Sequence, residues 1–250
     1  MPELMNILLT GGSGQLGKTI IQMNLFPSLF SPPKQELDIT DPLKIEAFFN
    51  SFPIDAVIHC AALARMSECE KDPLKALQVN TVGTSNLISV ILKKEKEINR
   101  KIRMIYLSTE GVYAGTKGNY SESDETLPYN IYGWTKLGAE CSVRLLSNYC
   151  IIRTGFFDPQ HIRFDTSAID MFSSRMPIQK LAKAVAKLLY HPFIGTINVG
   201  EDRKSDYERY KVFKSNLKPS CFEDIVKSLS FKIAKDASMN CEMWEQLNGV

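Results

Sequence analysis

The chain has 250 residues, 44% hydrophobic and 23% charged, with 14 glycines and 12 prolines, the profile of a globular protein with an ample core. Against 28 Asp and Glu stand 30 Lys and Arg, a net charge of +2, which argues against broad nucleic-acid binding because that needs a strongly basic face. No run of 18 apolar residues occurs, so no membrane span is expected.

In chain order, the first strand-like run, residues 6–10, begins too near the first residue to leave space for a signal peptide. The six cysteines are scattered with no CxxC pair, so they read as reduced thiols of a cytoplasmic protein, with no disulfide framework and no metal site. Further strand-like runs lie at 56–60, 102–108, 150–154 and 196–200, separated by helical patterns. That alternation predicts an α/β fold, a Rossmann-type doubly wound parallel sheet. Asp41-Pro42 and Asp72-Pro73 are expected helix starts, because Asp accepts from free first-turn amides and Pro lacks only a donor that the helix does not need. The second should lead one long helix to the charged run at 93–96. Helices are also expected at 132–146, at 178–190 and within the polar stretch 202–218, whereas residues 25–37, with three prolines, are unreadable. Residues 1–154 are expected to form the dinucleotide-binding domain. Residues 155–250 should form a small C-terminal substrate lobe, with 196–200 returning to the main sheet.

The first strand runs into Gly11-Gly12-Ser13-Gly14-Gln15-Leu16-Gly17 and then a helix-like segment at 18–25. Glycines here permit a tight turn, close approach of backbone amides to a pyrophosphate, and close packing of helix on sheet. The anion would sit on the helix N-terminus, making Gly11, Ser13, Gly14, Gln15, Leu16 and Gly17 candidate cofactor contacts. Lys34 would pair with a 2′-phosphate and favour NADPH over NADH, or else is a solvated surface lysine. Tyr132-Gly133-Trp134-Thr135-Lys136 places a phenol and an ammonium on one helical face. A free phenol ionises near pH ~10, so acid–base use near neutrality needs an adjacent positive charge.

Together, the Gly-x-x-Gly-x-x-Gly turn, Ser108-Thr109-Glu110-Gly111-Val112-Tyr113, Tyr132-x-x-x-Lys136 and Ile152-Arg153-Thr154 resemble the extended short-chain dehydrogenase/reductases. Within them the chain looks most like the dTDP-4-dehydrorhamnose reductase family. His59-Cys60-Ala61-Ala62 and Val79-Asn80-Thr81 support the likeness, which returns weakly at 198–200 and 238–240. The resemblance implies that Asp38 and Ile39 flank the adenine and that Cys60, Ala61 and Ala62 form a cofactor loop. It also implies that Thr109 hydrogen-bonds the substrate carbonyl, Tyr132 donates the proton, Lys136 binds the nicotinamide ribose, and Asn80 supports Lys136 through water. Substrate contacts would include Thr109, Glu110 and Phe156.

The activity so implied is NADPH- or NADH-dependent reduction of the 4-keto group of a nucleotide-activated deoxysugar, with a homodimer possible. Related dehydratases carry an Asp-Glu pair after the Thr, and Glu110-Gly111 lacks the second carboxylate, so elimination is disfavoured. The alternatives are a 4-epimerase that keeps NAD bound and a non-catalytic regulatory subunit like the methionine adenosyltransferase β subunit. His59 is expected as a core or loop histidine, Trp134 and Trp244 as packing residues, and His161 without an acidic partner. The basic residues Arg203, Lys204, Arg209 and Lys211 are expected as a solvated face, or as a diphosphate contact.

Overall fold

A computed structural model describes residues 5–249. The first part of the chain runs β1 (Ile7–Thr10), α1 (Gln15–Gln22), β2 (Leu29–Phe30), α2 (Pro42–Ser51), β3 (Ala56–His59), α3 (Met66–Lys71) and α4 (Pro73–Ala76). A π-helical turn, Leu77–Val82, leads into α5 (Gly83–Ile98), β4 (Arg103–Leu107), a 3-10 turn (Glu110–Val112), α6 (Ile131–Val143) and β5 (Tyr149–Thr154). Beyond it come β6 (Phe156–Phe157), β7 (Thr166–Ala168), β8 (Phe172–Ser173), β9 (Met176–Pro177), α7 (Ile178–Tyr190) and β10 (Gly195–Val199). The chain closes with β11 (Lys204–Ser205), α8 (Asp206–Lys211), β12 (Lys218–Ser220), α9 (Phe222–Lys227) and α10 (Glu242–Asn248).

Six parallel strands form the main sheet in the order β10-β5-β4-β3-β1-β2. Because side chains alternate along a strand, each central strand feeds two cores. Ile7, Leu9, Ala56, Ile58, Ile105 and Ile152 pack with Leu16 and Ile20 of α1 and Leu181, Val185 and Leu188 of α7. Leu8, Val57, Met104, Tyr106 and Ile151 face the other way, onto α2, α5 and α6. The sheet is therefore covered on both faces, as the near-continuous apolar strands require. The chain leaves β1 outward to β2 and returns on the other side as β3, so the crevice between the ends of β1 and β3 is the topological switch point.

Several expected elements differ in extent. The helix after the glycine turn spans Gln15–Gln22 rather than 18–25, since the turn itself closes at Gly14, whose carbonyl accepts from Lys18. Asp41 and Asp72 both cap helices, accepting from Leu43 and Lys44 and from Lys75 respectively. The helix begun at Pro73 is interrupted by the π turn, whose extra residue per turn re-aims Asn80. The strand missed in 25–37 is only Leu29–Phe30, too short for any periodicity to show. In the 202–218 stretch only Asp206–Lys211 is helical, started by a capping box between Ser205 and Glu208. The C-terminal hundred residues divide in space. β10, α7 and Trp244 of α10 pack with the main sheet, while the pairs β11·β8, β12·β7 and β6·β9 build the region beside it. Among the described residues no helix is long and apolar enough to cross a membrane.

Candidate active site

The glycine turn makes its cleft out of backbone. Gly11 has φ +76, and a Cβ there would lie 2.5 Å from the Ala61 nitrogen, so only glycine lets the turn close against the loop after β3. At Gly17 a Cβ would lie 2.4 Å from the Gly11 carbonyl oxygen, which sets α1 directly on the turn. Gly14 occupies the N-cap with no side-chain hydrogen bond, and the first turn of α1 carries no acidic residue. Free amides and the positive helix end are thereby left for an anion. A cleft of about 300 Å³ opens there, lined by Gly11, Ser13, Gly14, Lys34, Asp38, Ile39, Cys60, Ala61 and Ala62. Leu16 is instead buried in the core, and Gln15 is the first residue of α1, so these two can offer backbone amides. Sequence reasoning missed Thr10, Lys75 and Val79, which also line the cleft. Such a cradle fits a pyrophosphate-bridged dinucleotide.

Lys34 stands 3.4 Å from Asp38. The Asp38 carboxyl is pushed up by burial, yet it is held below its ordinary value overall, because Thr40 donates to it through backbone and hydroxyl and Lys34 lies beside it.

His59 closes the floor. It is fully buried, with Nδ1 2.5 Å from Thr10 Oγ1 and Nε2 2.9 Å from Thr84 Oγ1. Thr84 Oγ1 donates to the Asn80 carbonyl, so Nε2–H donates to Thr84 and Nδ1 accepts from Thr10, which selects one neutral tautomer. Burial, with Lys136 adding repulsion, pushes the imidazole down to about 3. It is the core histidine expected.

Asn80 is 1% exposed and its side chain is fully engaged. Oδ1 accepts from Leu63 N at 2.7 Å, and Nδ2 donates to Leu63 O at 3.1 Å and to Thr135 Oγ1 at 2.9 Å. This side chain ties the loop after β3 to the helix carrying Tyr132 and Lys136. Thr81 adds a bond to the Thr135 carbonyl.

Thr109, two residues past the end of β4, caps the 3-10 turn, accepting from Gly111 N at 3.0 Å. Having accepted one bond, its hydroxyl keeps its own proton to donate. Lys136 is 3% exposed and lies 4.0 Å from the centroid of the Tyr106 ring, a cation–π contact that favours the charged form. Burial wins over that contact, Cys60 and Glu140, and brings the ammonium down to about 7. Tyr132 is half-buried, and burial, reinforced by Cys69 and Glu110, pushes its phenol above its ordinary value. Without ligand Tyr132 is thus a neutral acid holding a proton to give.

Beneath these groups runs a buried brace. Ser108 donates to Glu140 Oε1 at 2.6 Å, Arg153 pairs with both Glu140 oxygens at 3.0 and 2.8 Å, and Arg153 also donates to Tyr113 OH. Tyr113 donates to Asn198, whose amide reaches the Tyr120 and Asn240 carbonyls. The motif segments around 108, 153, 198 and 240 therefore meet in space as structure, holding β4, α6, β5 and β10 together.

Residues 5–178 match the family described as RmlD substrate binding domain. The chain belongs to that family. A dTDP-4-keto-6-deoxy-D-glucose reductase of Streptomyces niveus is 33% identical over 159 residues, covering 62% of this chain and 53% of that one. A methionine adenosyltransferase 2 subunit beta of Pongo abelii is 29% identical over 146 residues, covering 55% of this chain and 42% of that one. The chain thus spans about half the length of the curated relatives it matches. A crystal structure of a dTDP-4-dehydrorhamnose reductase of Clostridium acetobutylicum superposes with a TM-score of 0.85 at 26% identity, covering 97% of this chain and 92% of that one. The α/β fold of this RmlD-family chain agrees with that likeness.

The second region of the site is built from side chains. Two cavities, about 530 and 520 Å³, adjoin Arg175, Asp206, Phe164 and Met171. The second also takes in Arg65, Ser67 and Tyr129, close to α6. Glu110 is 4% exposed, and its Oε1 accepts from Arg175 Nε at 2.8 Å. Arg175, Tyr129 and Asp206 carried no motif and were missed. Phe156 pairs in β6 with Met176 and packs against the sheet core, while Phe157 packs edge-on to Tyr210. The basic cluster divides: Arg203 and Lys204 are exposed and Lys211 is partly so, as a solvated face would be, whereas Arg209 is buried. Arg209 is 3% exposed, donating to the carbonyls of Arg175, Ser173 and Asp202, and Arg203 pairs with Asp236 over the Phe172 ring. Trp244 packs as expected, but Trp134 is 50% exposed, on the outer side of α6. His161 does have an acidic partner, Asp158 at 2.7 Å, on the surface.

Proposed function

We propose that this chain reduces the 4-keto group of a nucleotide-activated 6-deoxysugar, dTDP-4-dehydrorhamnose or a close relative, using NADPH or NADH. The observation that carries the reading is that one helix carries both Lys136, buried within electrostatic reach of Cys60 in the loop that lines the cleft, and Tyr132, within reach of Glu110, the residue after Thr109. A bound nicotinamide dinucleotide supplies the hydride. Gly11, Ser13, Gly14 and the cofactor loop would hold it, with Asp38 and Ile39 at the adenine. Thr109 keeps its hydroxyl proton for the substrate carbonyl and polarises it. Tyr132 then gives its proton to the developing alkoxide, a role that suits a phenol kept neutral by burial. Lys136, charged below about 7, favours the resulting phenolate and binds the ribose.

Cofactor choice leans to NADPH. Ser31 follows β2 where NAD-selective folds carry an acidic residue, and Lys34 and Lys75 both line the cleft. A cytoplasmic location fits the six free thiols. A second reading, a dinucleotide-binding regulatory subunit, is favoured by the relative named as a methionine adenosyltransferase subunit; the 4-epimerase reading would need tightly held NAD. Purified chain mixed with NADPH and a panel of 4-keto-6-deoxy sugar nucleotides separates the three. Net NADPH oxidation supports reduction, product without net oxidation supports epimerisation, and binding without turnover supports the regulatory reading.

A further inference from the structure

We propose that Arg175 binds the sugar ring of the substrate, not its diphosphate, and that its ion pair with Glu110 carries this contact to Thr109. The inference rests on the reductase reading and deepens it. Arg175 lies between β8 and β9, and its side chain, 29% exposed, borders both cavities. Its Nε is 2.8 Å from Glu110 Oε1, and its Nη1 is 3.4 Å from Tyr210 OH and 3.6 Å from Asp206 Oδ2. Among the described residues no acceptor meets Nη2, and the buried Oε2 of Glu110 likewise has no partner. The cluster is thus held in place yet keeps a free donor edge.

Charge decides what that edge takes. Two carboxylates already face this guanidinium, so the trio is net negative and Arg175 itself offers a diphosphate little net attraction. A neutral ring bearing hydroxyl and ether oxygens accepts from Nη2 without repulsion from those carboxylates. Sequence adjacency does the rest. Glu110 directly follows Thr109 on the 3-10 turn, so displacing the carboxylate displaces the hydroxyl that meets the carbonyl. Gly155 makes space for the pair, since a Cβ there would lie 2.6 Å from Glu110 Cδ and 2.7 Å from Arg175 Cγ. Arg175 is therefore a specificity residue, and Glu110 and Gly155 are positioning residues.

The test uses the full chain with Arg175→Lys and Gly155→Ala, the latter shifting the pair without changing any charge. For each, kcat and KM are measured with NADPH and the best 4-keto-6-deoxy sugar nucleotide, and affinities for NADPH and for dTDP alone are measured calorimetrically. Both variants should raise the sugar-nucleotide KM about tenfold or more and lower kcat, the scale of a lost charged hydrogen bond, while leaving NADPH and dTDP affinities within about twofold. A parallel loss of dTDP affinity would place Arg175 on the diphosphate and overturn the proposal, as would unchanged KM in an active wild type. Wild-type chain that oxidises no NADPH with any of these substrates overturns the reductase reading, and this inference with it.

Discussion

The dinucleotide cleft and the cavities around Arg175 sit in one molecule but are made of different material. The cleft is backbone: Gly11 and Gly17 remove Cβ atoms that would strike Ala61 and the Gly11 carbonyl, and the first amides of α1 have no side-chain cap. The Arg175 region is side chain, an ion-paired set drawn from positions 110, 155, 175, 206 and 210. Backbone sites depend on a few consecutive residues and tolerate changes of side chain around them. Side-chain sites depend on residues far apart and can be rewritten for a new substrate without disturbing the fold.

The heaviest damage should come from the buried Glu140–Arg153 brace. Glu140→Ala should leave Arg153 buried with its carboxylate removed, costing about 3–5 kcal/mol in denaturant unfolding, with cofactor binding and turnover lost together. Gly17→Ala strikes the cleft alone. Its Cβ would overlap the turn backbone, so NADPH affinity should drop about tenfold or more, with roughly 1–3 kcal/mol of stability lost to overpacking, read by calorimetry and thermal unfolding. A smaller effect follows from Lys136, whose buried ammonium loses its charge above about 7. NADPH affinity should fall as pH rises through that value, by at most about tenfold per unit, and Lys136→Met should abolish the dependence. The same residue has a stability signature of the opposite sense. Its folded value is depressed from 10.5 to about 7, so the unfolded chain binds more protons between them and stability rises with pH over that window. Smallest of all, Ser13→Ala should change NADPH affinity by about twofold or less, because its neighbours bind through backbone; a larger loss would break the contrast.

The same difference explains what was legible in the sequence. The sheet was readable because Ile7 to Leu9, Val57, Ile58 and Ile151 stay apolar on both faces, and the cleft because its glycines are consecutive with β1. Tyr132 and Lys136 lie four residues apart on one helix, so their shared face was a local pattern too. Thr109 was placed by the end of a strand. Arg175 was not readable, because its partners Glu110 and Asp206 are 65 and 31 residues away and no spacing rule joins them. The direct bonds of Asn80 to Leu63 and Thr135 were not readable either, since the π turn that carries it has no signature in residue type. The basic stretch after 202 misled for a related reason, since charge counts do not reveal that Arg209 is spent on three backbone carbonyls.

The central claim is that Tyr132 completes a hydride reduction begun from a dinucleotide held on the glycine turn. Its most direct test is product analysis after incubation with NADPH deuterated at the transferring position and a 4-keto-6-deoxy sugar nucleotide. Wild-type chain should place one deuterium on the former carbonyl carbon for each cofactor oxidised. Tyr132→Phe should bind the cofactor with unchanged affinity yet lose about 10²–10⁴ in rate, the usual weight of a positioned general acid. Product lacking deuterium, or a Tyr132→Phe variant as fast as wild type, would contradict the account.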